Sequence, residues 1–141
     1  MIVAESAGDL LLSRLMLNLN EPCRITDTSW IQPMRYIGIW WTYHMKHNTW
    51  HAGPHHGATT ENTMRHIDFA AANNLGGVLV EGWNEDWATW KFSFTKPYTD
   101  FDIQRITDYG RSKGVALIGH HETGGNVSNY ENQMEDGFQV L

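Results

Sequence analysis

The sequence predicts an α/β fold built on parallel strands, and three observations predict it. Three short apolar runs, "YIGIWWTYH" (Tyr36 to His44), "GGVLVEGWN" (Gly76 to Asn84) and "GVALIGHHE" (Gly114 to Glu122), have the near-continuous apolar character of strands covered by helices rather than the alternation of a half-wet sheet. Two helical patterns lie between them, so the order is β-α-β-α-β. Each run also ends in a cluster of aromatic, amide and titratable side chains.

The first helical pattern, "TTENTMRHIDFAAANN", has Thr59 or Thr60 as N-cap and Glu61 in its first turn, where a negative charge meets the positive end of the helix dipole. It spaces Met64, Ile67 and Ala71 on one face and stops at Gly76. The second, "TDFDIQRITDYGRSKG", starts at Asp100 or Asp102, carries Ile103 and Ile106 inward, and ends with Arg111 and Lys113 before Gly114. A third pattern begins near Ser128 or Asn129, spaces Tyr130, Met134 and Phe138 by four, and runs into Leu141. Ahead of the first strand, "NLNEPCRITDTSWIQPMRY" has the Asn, Pro, Thr and Asp content of a connection, and the residues up to Leu19 are expected to be a last strand or two of a preceding domain. The expected division is therefore 1–34 and 35–141. Three parallel strands leave two edges unpaired and one face uncovered, so the chain is expected to be part of a larger α/β protein.

Composition narrows the function. With ten Lys+Arg, sixteen Asp+Glu and a net charge of −6, and with no basic stripe, the chain is not built for a nucleic-acid backbone. The lone Cys23 offers neither a disulfide nor a thiolate metal site. The N-terminal segment is interrupted by Glu5, Asp9 and Arg14, which fits neither a signal peptide nor a membrane span.

In a (β/α)8 barrel the active site lies at the C-terminal ends of the strands, and here three such ends carry Trp40, Trp41 and His44; Glu81, Trp83 and Asn84; and His120, His121 and Glu122. Any one of these residues alone would be read as core or rim. Three clusters at equivalent positions point to a site. Aromatic rings beside carboxylates and amides suit a sugar, whose C–H face stacks on a ring while Asn, His and Glu satisfy its hydroxyls. Seven Trp fit that picture, with Trp30 and Trp50 assigned to packing. Glu81 and Glu122 are the candidate carboxyl pair for glycoside hydrolysis. A rival is zinc, for which "HMKHNTWHAGPHH" supplies His44, His47, His51, His55 and His56; the spacing matches no helical HExxH pattern, and a histidine-rich loop with Gly and Pro is more often polar surface.

The stretches "LNLNEPCRITDTSWIQPMRYIGIWW", "HGATTENTMRHIDFAAANNLGGVLVEGWN", "FSFTKPYTDFDI" and "GVALIGHHETGGNVSNYENQMEDGF" resemble glycoside hydrolase family 97, the α-glucosidases and α-galactosidases of polysaccharide-degrading bacteria. The resemblance implies an N-terminal β-sandwich, a (β/α)8 catalytic barrel and a C-terminal β domain, with this chain as the end of the sandwich or its linker followed by about three βα units of the barrel. It implies an α-linked oligosaccharide as substrate, a calcium ion whose ligands lie mostly outside this chain, and a periplasmic or secreted location. Inverting members carry a base glutamate directly after the paired histidines. Glu122 stands there, His120 resembles a substrate-contacting histidine, and the whole protein is expected to be an inverting α-glucosidase. The alternatives are a retaining α-galactosidase of the same family or a non-catalytic sugar-binding remnant. The general acid lies downstream in the family, so the fragment alone is expected to be inactive. One departure concerns the segment between "EGWN" and "FSF", where only "EDWATWK" replaces a longer loop that borders the substrate in the family.

Overall fold

The computed structural model describes residues 2–140, which divide into two units at Pro33 and Met34. In the first unit, α1 (Ala7–Leu12) and α2 (Leu15–Leu19) occupy the stretch where strands were expected. A strand needs a neighbour for its backbone groups, whereas a helical turn satisfies its own, and Leu and Met are good helix formers. Ser6 caps α1 by accepting from the Asp9 amide at 3.2 Å. Leu11, Leu12 and Leu17 remain exposed, as does Trp30, which packs into no core.

In the second unit, β1 (Tyr36–Ile39), β2 (Gly77–Val80) and β3 (Ala116–Gly119) form a parallel sheet in the order β1-β2-β3. The register aligns Ile39 with Val80 and Val80 with Gly119, so all three strands stop at one level. The first run does not stay extended to His44. Trp40 turns to φ −142° and ψ −43°, and Trp41–His44 form a single helical turn, α3.

Helix α4 (Thr60–Ala72) is capped by Thr59, whose hydroxyl accepts from the Asn62 amide at 3.2 Å. Its buried stripe is Thr63, Ile67 and Ala70, one position away from the expected Met64 and Ala71. Thr63 tolerates this burial because its hydroxyl donates to the Thr59 carbonyl at 2.8 Å. The helix ends at Ala72, short of Gly76, because Asn74 adopts φ 53° in the left-handed region that Asn tolerates. Helix α5 (Ile103–Lys113) is capped by Asp102, which accepts from the Arg105 amide at 3.0 Å, and closed by Gly114 at φ 69°. Gly110 permits the return into β3, since a Cβ there would stand 2.6 Å from the Val115 carbonyl oxygen.

The core joins Ile39, Val78 and Val80 of the sheet to Ile67 and Ala70 of α4, Ile106 of α5, and Trp83, Phe101 and Val115. Helices thus cover one face. On the other, the face expected to be left uncovered, lies a hollow of about 380 Å³ whose lining includes Tyr36, Gly38 and Leu79. The third helical pattern is two helices, α6 (Val127–Glu131), capped by Asn126, and α7 (Met134–Val140). They are parted at Gln133, whose amide donates to the Phe92 carbonyl at 3.2 Å and accepts from the Phe94 amide at 3.1 Å. The expected continuation into Leu141 lies outside the described residues.

Ile67 is fully buried between α4 and the sheet, and Ile67→Ala should cost about 2–5 kcal/mol of stability in urea unfolding. A loss below about 1 kcal/mol would contradict this packing.

Candidate active site at the strand ends

The common stopping level of the strands sets their following residues side by side, and a cleft of about 590 Å³ opens there. Its walls include Trp40 and His44 from the exit of β1, Glu81 from the exit of β2 and Glu122 from the exit of β3. These four of the expected residues are brought together. Trp40 lies between Trp41, at 5.3 Å between ring centroids, and His44, at 4.2 Å. Trp41 and His120 open onto the adjoining hollow over the bare sheet face, which shares Trp40 and Glu81 with the cleft.

Three other expected residues do not face the cleft. Trp83 is fully buried and its indole donates to the His120 carbonyl at 2.9 Å, joining the exits of β2 and β3. Asn84 is also fully buried; it donates to the Ser93 carbonyl and accepts from the Trp87 indole at 2.8 Å. Both act as struts: Trp83 packs into the core beside Phe101, and Asn84 is tied to the loop that follows it through Ser93. His121 turns away from His120, as alternate side chains of an extended segment do, and sits among Phe94 at 5.1 Å, Tyr130 at 5.6 Å and Phe138 at 6.1 Å. Burial, and then the neighbouring His120, lowers its pKa.

Glu122 is held in place by local geometry. The Gly124 amide donates to its Oε1 at 2.7 Å, and His120 Nε2 stands 3.6 Å from Oε2, too far for a hydrogen bond but close enough for charge attraction when the imidazole is protonated. The Gly124 amide is the main cause of a carboxyl pKa below the usual glutamate range; partial burial opposes it and His120 adds to it. Glu81 is fixed twice, by the Trp50 indole donating to Oε2 at 3.0 Å and by the Tyr43 hydroxyl donating to its backbone carbonyl at 2.9 Å. Burial, and then the charge of Glu81, pushes the Tyr43 hydroxyl pKa up, so it remains a donor.

The sequence reading missed Trp50, His51, Trp87 and Trp90 as cleft residues. Trp50 had been assigned to packing, yet it lines the cleft with its ring parallel to that of Trp87 at 6.2 Å. The two Trp of "EDWATWK", directly after the second cluster, were the available signal for the others. Among the described residues no three His, Cys, Asp or Glu side chains gather to hold a metal ion, and His56 of the candidate zinc loop is taken up by Asp100 and the Gly82 carbonyl.

The family model of glycoside hydrolase 97 matches residues 40–141, from the first cleft tryptophan onward. The chain belongs to glycoside hydrolase family 97. It is 54% identical, over 97% of its length and with a TM-score of 0.89, to a family 97 enzyme from Pseudoalteromonas sp. strain K8 in complex with acarbose. It matches a variant of a family 97 enzyme from that strain, in complex with panose, at the same identity with a TM-score of 0.88. Over 99% of its length it is 29% identical to a retaining α-galactosidase from Bacteroides thetaiotaomicron. The chain spans 22% of the Pseudoalteromonas enzyme chains and 21% of the α-galactosidase.

Because native Glu122 holds its proton less tightly than an ordinary glutamate, its contribution to stability is present above the unfolded-state value and is lost as pH falls through the native one. Carboxyl-carbon NMR should place its midpoint below the ordinary glutamate value, and His120→Ala should raise it only part of the way back. A midpoint in the His120→Ala variant equal to that of ordinary glutamate would show that the Gly124 amide is not the main cause.

Proposed function

We propose that this chain is the start of the catalytic (β/α)8 barrel of an inverting α-glucosidase, with Glu122 as general base. The observation that supports it best is the placement of Glu122 at a strand end, in one cleft with Glu81 and four tryptophans, its carboxylate held ionised by the Gly124 amide. A general base must be ionised at working pH, as a glutamate is near neutrality, and must be aimed, which the Gly124 contact does.

In the proposed reaction the terminal glucose lies in the cleft with its C–H face on indole and its hydroxyls toward Glu81 and His44, while His120 approaches from the adjoining hollow. Glu122 takes a proton from a water that attacks the anomeric carbon on the face opposite the leaving group. A carboxylic acid on the leaving side, carried in the family by a later part of the barrel, protonates the departing oxygen. Inversion needs the two carboxyls about 6.5–9.5 Å apart, to leave room for the water. Trp83 acts in this scheme by holding the exits of β2 and β3 at fixed spacing, and Asn84 by fixing the loop through Ser93 and Trp87. The preceding residues serve as the connection from a β-sandwich domain.

Calcium, implied by the family resemblance, takes six to eight oxygen ligands. One oxygen of Glu81 and one of Glu122 are already bonded to Trp50 and Gly124, and no cluster of three metal-ligating groups occurs among the described residues. This chain would supply at most a ligand or two, and no step is assigned to the ion.

A second reading is a retaining α-galactosidase, favoured by the relative of that name at 29% identity. The glucoside reading is preferred because the relatives at 54% identity were captured with acarbose and panose. In the full-length protein, Glu122→Gln should lower turnover of maltose by about 10²–10⁴ with little change in substrate binding. Near-normal turnover in that variant would remove Glu122 from the mechanism, and cleavage of melibiose in preference to maltose would favour the second reading.

A further inference from the structure

We propose that Trp90 is a specificity-determining residue, the platform on which the second sugar of the substrate, next to the one being released, stacks. The proposal rests on the glycosidase reading above. Trp90 shares the cleft wall with Glu122, yet it is 64% exposed. An indole left this open on a cleft wall presents a flat apolar face, of the kind that takes the C–H side of a pyranose ring.

The backbone places it there deliberately. The single 3-10 turn Trp87–Thr89 is flanked by Asp86 at φ 72°, a left-handed conformation that Asp tolerates, and by Trp90 at φ 57°, where an aromatic residue is uncommon. Trp87 anchors the turn: its indole donates to the buried Asn84 and its ring meets Phe92 edge-on at 5.0 Å. Trp90 makes no such bond, and its ring rests edge-on against Phe92 at 5.8 Å. Strained conformations persist where the surrounding structure enforces them, often where a side chain must be aimed at a ligand.

Trp90 is also coupled to the base. Gly124, whose amide holds Glu122, fits beneath it so closely that a Cβ would stand 2.6 Å from Trp90 Cε3 and 3.0 Å from Phe92 Cε2. A sugar on the platform would therefore lie directly beside the segment that aims the carboxylate. The contrasting possibility is that Trp90 only props Gly124.

The two are separated by comparing a substrate that has a second ring with one that has none. In the full-length protein, Trp90→Ala should lower kcat/KM for maltose about three- to tenfold more than for α-glucosyl fluoride, since fluoride occupies no ring site. Trp90→Phe should recover most of the maltose loss. Melibiose and α-galactosyl fluoride serve as the matching pair for a galactosidase. Equal losses on the disaccharide and the fluoride would show a mere prop and overturn the proposal, as would no loss on either. If the unaltered protein cleaves none of the four compounds, the glycosidase reading itself falls and takes the platform with it.

Discussion

One buried junction carries the geometry of the cleft. The His56 ring, with no side-chain exposure, reaches Asp100 through Nδ1 at 2.8 Å and the Gly82 carbonyl through Nε2 at 2.9 Å. The Asp100 carbonyl in turn accepts from the Thr60 amide at 2.8 Å and the Thr60 hydroxyl at 2.9 Å, and the same hydroxyl oxygen accepts from the Asp102 amide at 2.8 Å. The start of α4, the cap of α5 and the exit of β2 are thereby tied at one point. A buried polar network of this kind fixes one arrangement, and losing one member strands the others without water.

From that junction the site follows in short steps. Gly82, between Glu81 and Trp83, takes φ 75°, and a Cβ there would stand 2.8 Å from the Trp50 carbonyl oxygen. The close approach seats Trp50, and Trp50 holds the carboxylate of Glu81. Tyr43 reaches the Glu81 carbonyl from α3, and its ring lies so close over Gly57 that no side chain could be accommodated there. Trp83 then links the exits of β2 and β3, and the Gly124 amide sets Glu122. The stretch "HGATTEN" reads physically along the same line: His56 the junction, Gly57 the seat for Tyr43, Ala58 fully buried, Thr59 the cap, Thr60 the second tie, and Asn62 donating to the Gly57 carbonyl at 2.7 Å.

The sequence showed the strands, both central helices with their caps narrowed to Thr59 or Thr60 and to Asp100 or Asp102, and the convergence of Trp40, His44, Glu81 and Glu122, because periodicity, capping and strand ends are local signals. It did not show which face of each later residue the loops would cover. Trp83 and Asn84 looked like surface partners of a sugar because their enclosure depends on partners distant in sequence, Phe101 and the His120 carbonyl for Trp83 and Ser93 for Asn84. Trp50 looked like core, and Trp90 was passed over, because both positions depend on a turn whose left-handed residues are not glycines. The expected N-terminal strand became two helical turns since strand pairing is a property of neighbours, which a local reading cannot supply. The alternating directions of His120 and His121 were open to inference from the period of an extended chain, yet the pair had been treated as one unit.

The central claim is that Glu122 activates water for attack opposite the leaving group. Proton NMR of the full-length protein cleaving an aryl α-glucoside, whose leaving group is not itself a sugar, recorded before the released glucose mutarotates, tests it most directly. The account predicts β-glucose as the first sugar released from the α-linked end. α-Glucose appearing first would mean retention through a covalent intermediate, and would contradict the role given to Glu122.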